Sequence, residues 1–430
     1  MLETKEKLEI LAKHKVVDAG AKGFVVFLEG IVDFFKDGKL KELLHSHAVQ
    51  PAFADKIDSL THENFNFRYC TEALLSGTDL DRCNIRQKLE RYGDSVVVAG
   101  SPKKVRVHIH TDHPAKLFTD LYQCGHIISQ KVDDMFMQQK VVHERKSDIA
   151  LVTDSTSDLP QEIIEKYQIH VVPLSVHFGE THFLDQVTLK SSQFYKMFEN
   201  SKVYPSSAQP TIKEFTNKFN YLSTHYKEIL SIHLSRAMSG TTDNSEKSAK
   251  SITEQTGVKI DVYDSKRVTG ALGLIVLRTA KSIEAGTPLP EIKKNLPVWI
   301  SKCDVLVSVK TLKYMVKGGR VSKMKGFMGN ALNMKPIVSM NEQGRTELLT
   351  RSFSEKGSMK KIYGLLEKRL YQQEVWGYSI THVKNRKTAD WYAEKLKALT
   401  GKDPEFIHDA SPVLGVNTGP GTVAVSFMME

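Results

Sequence analysis

Short apolar runs alternate with longer amphipathic stretches from Asp148 onward, and this alternation limits the possible folds more than any other feature. DIALVT (148–153), HVVPLSVHF (170–178), EILSIHL (228–234), KIDVYD (259–264) and CDVLVSV (303–309) read as strands. Helical patterns follow around Gln161–Tyr167 and Ser191–Phe198, from Ser239-Gly240-Thr241 towards Glu254, and from about Thr269. Strands that alternate with helices predict an α/β fold with parallel sheets covered by helices. Ligands of such sheets bind beyond the carboxyl ends of the strands.

Ahead of this region the pattern differs. Leu2–Lys13 and Ala21 to about Phe35 read as helices. SVVVAG (95–100) and KVRVHIH (104–110) flank Ser101-Pro102-Lys103 as a β-hairpin, and a helix is expected from Pro114 to Cys124. In the second strand Val105, Val107 and Ile109 share one face, so His108 and His110 project together from the other. The polar stretch Glu144–Ser147 separates the two regions. The predicted architecture is a smaller α+β domain followed by a larger α/β one, in a chain of 430 residues.

Composition narrows the function classes. A formal charge of +10 suits an acidic partner or an anionic membrane surface. The Lys and Arg residues are dispersed with no aromatic-interleaved basic motif, so nucleic acid is not expected. No apolar run approaches the length of a membrane span. The start MLETKEKLEI has no apolar signal core, and four cysteines at irregular spacing (Cys70, Cys83, Cys124, Cys303) form no disulfide framework. A reducing cytoplasm is the expected location. Walker, G-x-S-x-G and H-E-x-x-H motifs do not occur, so binding is favoured over chemistry.

Three hydroxyl-rich turns follow strands or precede helices: Ser155-Thr156-Ser157, Ser206-Ser207, and Ser235 through Ser239-Gly240-Thr241-Thr242. Each by itself also reads as a helix N-cap. Together they predict an anion site built from hydroxyls and free N–H groups, suited to a carboxylate or phosphate. Gly318-Gly319 reads as a helix C-cap after LKYMVK, and Arg320 beside it as a bidentate partner for an anion. Asn417–Gly421 reads as a tight turn between apolar PVLGV and TVAVSF.

IALVTDSTSDLP (149–160), VVPLSV (171–176), PSSAQP (205–210), SIHLSRAMSGTT (231–242), VYDSK (262–266), LKYMVKGGRVSK (312–323), LNMKPI (332–337) and NTGPG (417–421) stand in an order and spacing that resemble the DegV family of fatty-acid-binding proteins. The resemblance runs from about Asp148 to Glu430. It implies two α/β lobes holding a long-chain fatty acid, with Ser207, Ser235, Ser239 and Asn417 at the carboxylate. Ser206 and Gly240 stand beside these residues, Ser155 of the first hydroxyl-rich turn is counted with them, and Arg320 is implied on the phosphate or partner side. Ser206 and Ser207 stand where the family usually has Thr, Arg236 where a second serine is common, and Asn417 where a histidine is usual.

RYCTE (68–72), YGDSVVV (92–98), KVRVHIHTDHP (104–114) and KVDDMFMQQ (131–139) resemble the middle domain of bacterial fatty-acid kinases, and VVDAGAKGF (16–24) the end of a dihydroxyacetone-kinase-like nucleotide domain. The resemblance thus implies a helical remnant of the nucleotide domain at 1–40, a middle-like domain at 41–146 and a DegV-like domain at 147–430. The nucleotide domain's Asp-Gly-Asp-Thr-Gly loop does not occur. The expectation is therefore a truncated or split relative that is not an enzyme by itself and presents its acid to a kinase domain on another chain. The alternative is the non-nucleotide part of a split fatty-acid or dihydroxyacetone-type kinase. Peripheral membrane contact and a homodimer through the N-terminal region are further partner expectations. The middle-domain resemblance also implies zinc at Cys70, His108 and His110; exposed strand histidines beside a buried cysteine are the plainer reading.

Overall fold

The structure is a computed structural model that describes residues 19–37, 66–320 and 334–430. The backbone divides into two compact units, residues 1–66 and 67–430. The described part of the first is the helix α1 (Ala19–Asp37), on which Phe24, Phe27 and Ile31 are exposed. It corresponds to the helix expected from Ala21; the one expected at Leu2–Lys13 lies outside the described residues. Among the described residues no helix is long and apolar enough to cross a membrane.

The second unit opens with β1 (Tyr69–Ser76), α2 (Arg82–Leu89), β2 (Gly93–Ser101), β3 (Lys104–Thr111), α3 (Pro114–Tyr122), β4 (His126–Asp134) and α4 (Met135–His143). The four strands form an antiparallel sheet in the order β2-β3-β1-β4. The expected hairpin is present, turning at Pro102-Lys103. Val105, Val107 and Ile109 are fully buried against α3, so His108 and His110 face away from that core.

Next come β5 (Ile149–Asp154), α5 (Gln161–Lys166), β6 (His170–Val172), β7 (Ser175–Phe178), β8 (Thr181–Leu184), α6 (Ser191–Asn200), β9 (Ser206–Ala208), α7 (Ile212–Ser223), β10 (Glu228–His233), α8 (Thr241–Thr256) and β11 (Lys259–Asp264). The sheet β11-β10-β5-β6 is wholly parallel, as the strand–helix alternation predicts. HVVPLSVHF is two strands in two sheets rather than one. Pro173 has no N–H for a ladder, and the chain leaves the parallel sheet there to pair β7 with β8 and β9.

The remainder is α9 (Gly270–Glu284), α10 (Leu289–Ser301), β12 (Cys303–Ser308), α11 (Lys313–Lys317), β13 (Lys335–Met340), β14 (Thr346–Ser352), α12 (Glu355–Leu370), β15 (Val375–His382), α13 (Arg386–Thr400), β16 (Phe406–Asp409), α14 (Pro412–Thr418) and β17 (Val423–Met429). Its six-stranded sheet, β14-β13-β12-β17-β15-β16, is mixed, with only β15–β16 parallel. PVLGV is helical, not a strand: Ser411 Oγ accepts from the Leu414 N–H, Pro412 starts the helix, and Gly419 at φ +79° ends it.

The helix α9 packs between the two sheets, in one core with Leu230 and Ile232 of the first and Val305 and Met428 of the second. Gly273 permits this approach, since a Cβ there would lie 2.5 Å from the Ser157 carbonyl oxygen. A second core joins the antiparallel domain to the larger one, with Leu75, Ile109 and Phe118 packed alongside Val176, Phe183 and Val413. Polar ties reinforce this junction. Arg68 pairs with both Asp134 and Glu165, and Gln130 donates to the His182 carbonyl at 2.8 Å. A common core of this kind makes the two domains one cooperative body rather than two tethered ones.

Candidate functional site

The floor of a cavity between the two lobes is laid down by strand register. Thr381 pairs with Ala424, Ala424 with Val307 and Val307 with Val338, which makes one continuous row across β15, β17, β12 and β13. All four line a cavity of about 360 Å³ between the two lobes, with Val305 and Met340 beside them. Because side chains alternate along a strand, these residues share the face turned to the first lobe. Leu174, Leu234, Met238 and Val268 close the cavity from that lobe, and α14 adds Val413 and Leu414. A largely apolar cavity with a few polar groups suits an aliphatic ligand with one polar end.

The polar end is formed by Ser207, Gln209, Ser239, Arg320 and Asn417, all of which line the cavity. Asn417 Nδ2 donates to the Val413 carbonyl at 2.8 Å and reaches Ser207 Oγ at 3.4 Å. Ser207 therefore accepts from Asn417, and its own O–H is left to donate to a ligand. Asn417 Oδ1 is buried without a donor, and a Cβ on Gly318 would lie 2.2 Å from it. Asn417 thus positions Ser207 and packs on the Gly318 backbone. Ser239 Oγ accepts from the Thr241 N–H at 3.3 Å and lies 2.8 Å from Thr241 Oγ1. Arg320 is exposed, its guanidinium on the Gly318 carbonyl.

The other four residues of the expected set are not among those lining the cavity. Ser155 is buried, donating to Asp185 at 2.6 Å and accepting from the Leu174 N–H. Ser235 donates to the Gly344 carbonyl at 2.8 Å, a tie between lobes. Ser206 is exposed, opposite His177. Gly240 gives its N–H to Gln209 Oε1 at 2.7 Å. Arg236 is exposed and paired with Asp243 and Glu246, away from the cavity lining.

Sequence reasoning passed over Gln209, Thr269 and Thr381, although Gln209 sits inside PSSAQP. Thr269 adopts φ +56° and ψ −145°, a conformation that strains any residue but glycine. Its Oγ1 donates to Asp158 at 2.6 Å and lies 2.7 Å from Thr381 Oγ1, which holds the two lobes together under the cavity. Burial pushes the Asp158 carboxyl up to about 8 and that of Asp185 to about 7, against hydrogen bonds that partly offset the shift. Asp158 accepts from the Ser411 N–H and Asp185 from the Val413 N–H, so both anchor the start of α14.

A separate cluster lies on the open face of the antiparallel sheet. Register sets Cys70 directly between His110 of β3 and Asp133 of β4. Cys70 Sγ is 4.0 Å from His108 Nδ1, and the ligand atoms of Cys70, His108 and His110 all lie within 4.8 Å of one another. Tetrahedral zinc takes sulfur at about 2.3 Å and nitrogen at about 2.0–2.1 Å, so small side-chain adjustments bring these donors together. Burial, followed by Asp133, pushes the Cys70 thiol up, whereas burial and His108 push His110 down towards the neutral imidazole that a metal needs. The donor set fits zinc, with one position left for water or a fourth ligand.

Residues 148–430 match the DegV family, described as an uncharacterised protein family, and residues 66–142 match the middle domain of fatty-acid-kinase-like proteins. A DegV domain-containing protein of Staphylococcus aureus (strain MRSA252) is 30% identical over 279 residues, 64% of this chain and 96% of that protein. Among solved structures, a DegV family protein of Thermus thermophilus described by its fatty acid binding covers 66% of this chain and 99% of its own, at 26% identity and a TM-score of 0.60. DegV of Bacillus subtilis, described as a fatty acid binding protein, covers 66% and 100%, at 27% identity and a TM-score of 0.60. With the family matched over both lobes and the cavity between them, this chain belongs to the DegV family and carries a fatty-acid-kinase-like middle domain ahead of its DegV region.

Proposed function

We propose that the chain binds a long-chain fatty acid, its hydrocarbon on the Val307–Ala424 floor and its carboxylate at Ser207 and Ser239, and presents that carboxylate to a kinase domain on another chain. The observation that carries this reading is an apolar cavity whose polar end offers hydroxyl donors. The solved relatives described as fatty-acid binding support it. Burial of roughly fifteen methylenes at about 0.8 kcal/mol each gives about 12 kcal/mol before ordering costs. A carboxylate leaving water needs several hydrogen bonds, and Ser207 and Ser239 supply the first two. Arg320 stands exposed at the same end, where a transferred phosphate would meet it.

Ser207→Ala with Ser239→Ala removes two hydrogen bonds to a charged group, worth about 1.5–3 kcal/mol each. The double variant is expected to retain at least a hundredfold less acid, measured by extraction and mass spectrometry, while the melting temperatures of the two delipidated proteins differ little. Retention equal to the wild type would remove the head-group assignment.

The match to a kinase middle domain, and the core that this domain shares with the DegV region, favour a second reading as the non-nucleotide part of a split kinase. It requires phosphoryl transfer from ATP to the bound acid once a nucleotide domain is supplied. No turnover with any such domain would remove it. In this domain Cys70, His108 and His110 would hold zinc. When bound, zinc supplies a cross-link between β1 and β3 and a Lewis-acidic open position. Cys70→Ser is expected to lower zinc content at least tenfold by elemental analysis. Wild-type protein that carries no zinc and takes up none would refute the site.

A further inference from the structure

We infer that Gln209 is a third head-group donor, one that selects a carboxylate over an uncharged polar end; this rests on the fatty-acid reading above. Gln209 lines the cavity between Ser207 and Ser239 and is one of the exposed residues of its mouth. Its Oε1 accepts the Gly240 N–H at 2.7 Å. That bond fixes which way the amide faces, because turning it over would set an NH2 against an N–H. Nε2 is thereby held as a donor, and among the described residues it has no partner.

The backbone is built around this amide. A Cβ on Gly240 would fall 2.7 Å from both Gln209 Nε2 and Oε1, so the amide lies directly against the glycine. The next residue is tied to the same helix, since Asn244 Nδ2 donates to the Pro210 carbonyl at 2.8 Å. Gln209 is therefore preorganised beside Ser239 rather than waving at the surface. A carboxylate presents acceptor sites on two oxygens, and the Ser207 and Ser239 hydroxyls fill only part of that capacity. An N–H donor without a protein partner among the described residues completes it. An ester or alcohol offers only an uncharged acceptor, whereas the bond to a carboxylate is charge-assisted and about twice as strong, which is the origin of the selectivity.

Gln209→Glu tests this with little change of shape. The remaining Oε1 still accepts the Gly240 N–H, while the donor becomes an acidic oxygen facing the ligand. Among the residues lining the cavity the ionisable ones are Arg320 and His382, so the variant adds the one acidic side chain there. The delipidated 430-residue chain is titrated with palmitate at pH 7.5 and at pH 5. The variant is expected to bind at least tenfold more weakly than wild type at pH 7.5, with the variant-to-wild-type ratio rising at pH 5, because the bound carboxylate beside it raises the new carboxyl above its ordinary value of about 4.3 and favours its protonation. Gln209→Ala, which loses the donor without adding charge, is expected to be weaker than wild type by a similar factor at both pH values. Wild-type affinity in Gln209→Glu at pH 7.5, or an equal loss at both pH values, would overturn the inference. Failure of the wild type to bind palmitate at either pH would instead overturn the fatty-acid reading itself.

Discussion

Ala424→Phe is expected to lose bound fatty acid at least a hundredfold while keeping its fold. Ala424 is 5% exposed, and it sits on the cavity floor between Thr381 and Val307. A benzyl side chain at this position projects into the space an acyl chain would occupy. Displacing even four methylenes from it forfeits about 3 kcal/mol, a factor of more than a hundred in affinity. The packing cost in the protein is smaller, about 1–3 kcal/mol if neighbouring side chains must shift, because the cavity offers room. Acid retention and the melting temperature of the delipidated protein should therefore separate. Full retention with an unchanged melting temperature would mean that the hydrocarbon runs elsewhere.

Asp158→Asn is expected to flatten the pH dependence of stability. The folded-state pKa of Asp158 is raised to about 8 by burial, from an ordinary value of 3.8. Between those two values the folded chain keeps a proton that the unfolded chain has released. Unfolding free energy therefore falls as pH rises from about 4 to about 8, and Asp158 contributes no slope outside that window. One pKa unit corresponds to about 1.4 kcal/mol, so even half of the shift amounts to about 3 kcal/mol across the window. Asparagine keeps an acceptor for the Ser411 N–H and can donate to Thr269 Oγ1, so the tie between lobes survives. Asp185, raised to about 7, adds slope of the same sign and remains in the variant. Urea unfolding of delipidated protein at pH 5 and pH 8 is expected to give a steeper loss for wild type than for the variant. Parallel losses would show that Asp158 is ionised in the fold.

What the sequence makes legible here is local. Alternation in KVRVHIH sets His108 and His110 on one face because the period of a strand is two, and the structure agrees. The parallel sheet of the first lobe follows from strand–helix alternation in the same way. The hydroxyl-rich turns could not be sorted by the same means. Ser155 is bound by Asp185 and Ser235 by Gly344, the latter 109 residues away, whereas Ser207 and Ser239 line the cavity. In the sequence all four read alike, as serines of hydroxyl-rich turns, and only distant partners distinguish them. The cavity floor was hidden for a related reason, since the row from Thr381 to Val338 depends on register across four strands. The helix at Pro412 was readable, because Ser411-Pro412 is a cap followed by a first-turn proline, but the apolar run PVLGV masked it.

The most direct test of fatty-acid binding is denaturing extraction of the purified 430-residue chain, followed by mass spectrometry of the released small molecules. A long-chain fatty acid near one equivalent is the expected result, and its length would also calibrate the cavity. An extract without fatty acid, together with no uptake of added palmitate or oleate by the native protein, would contradict the account.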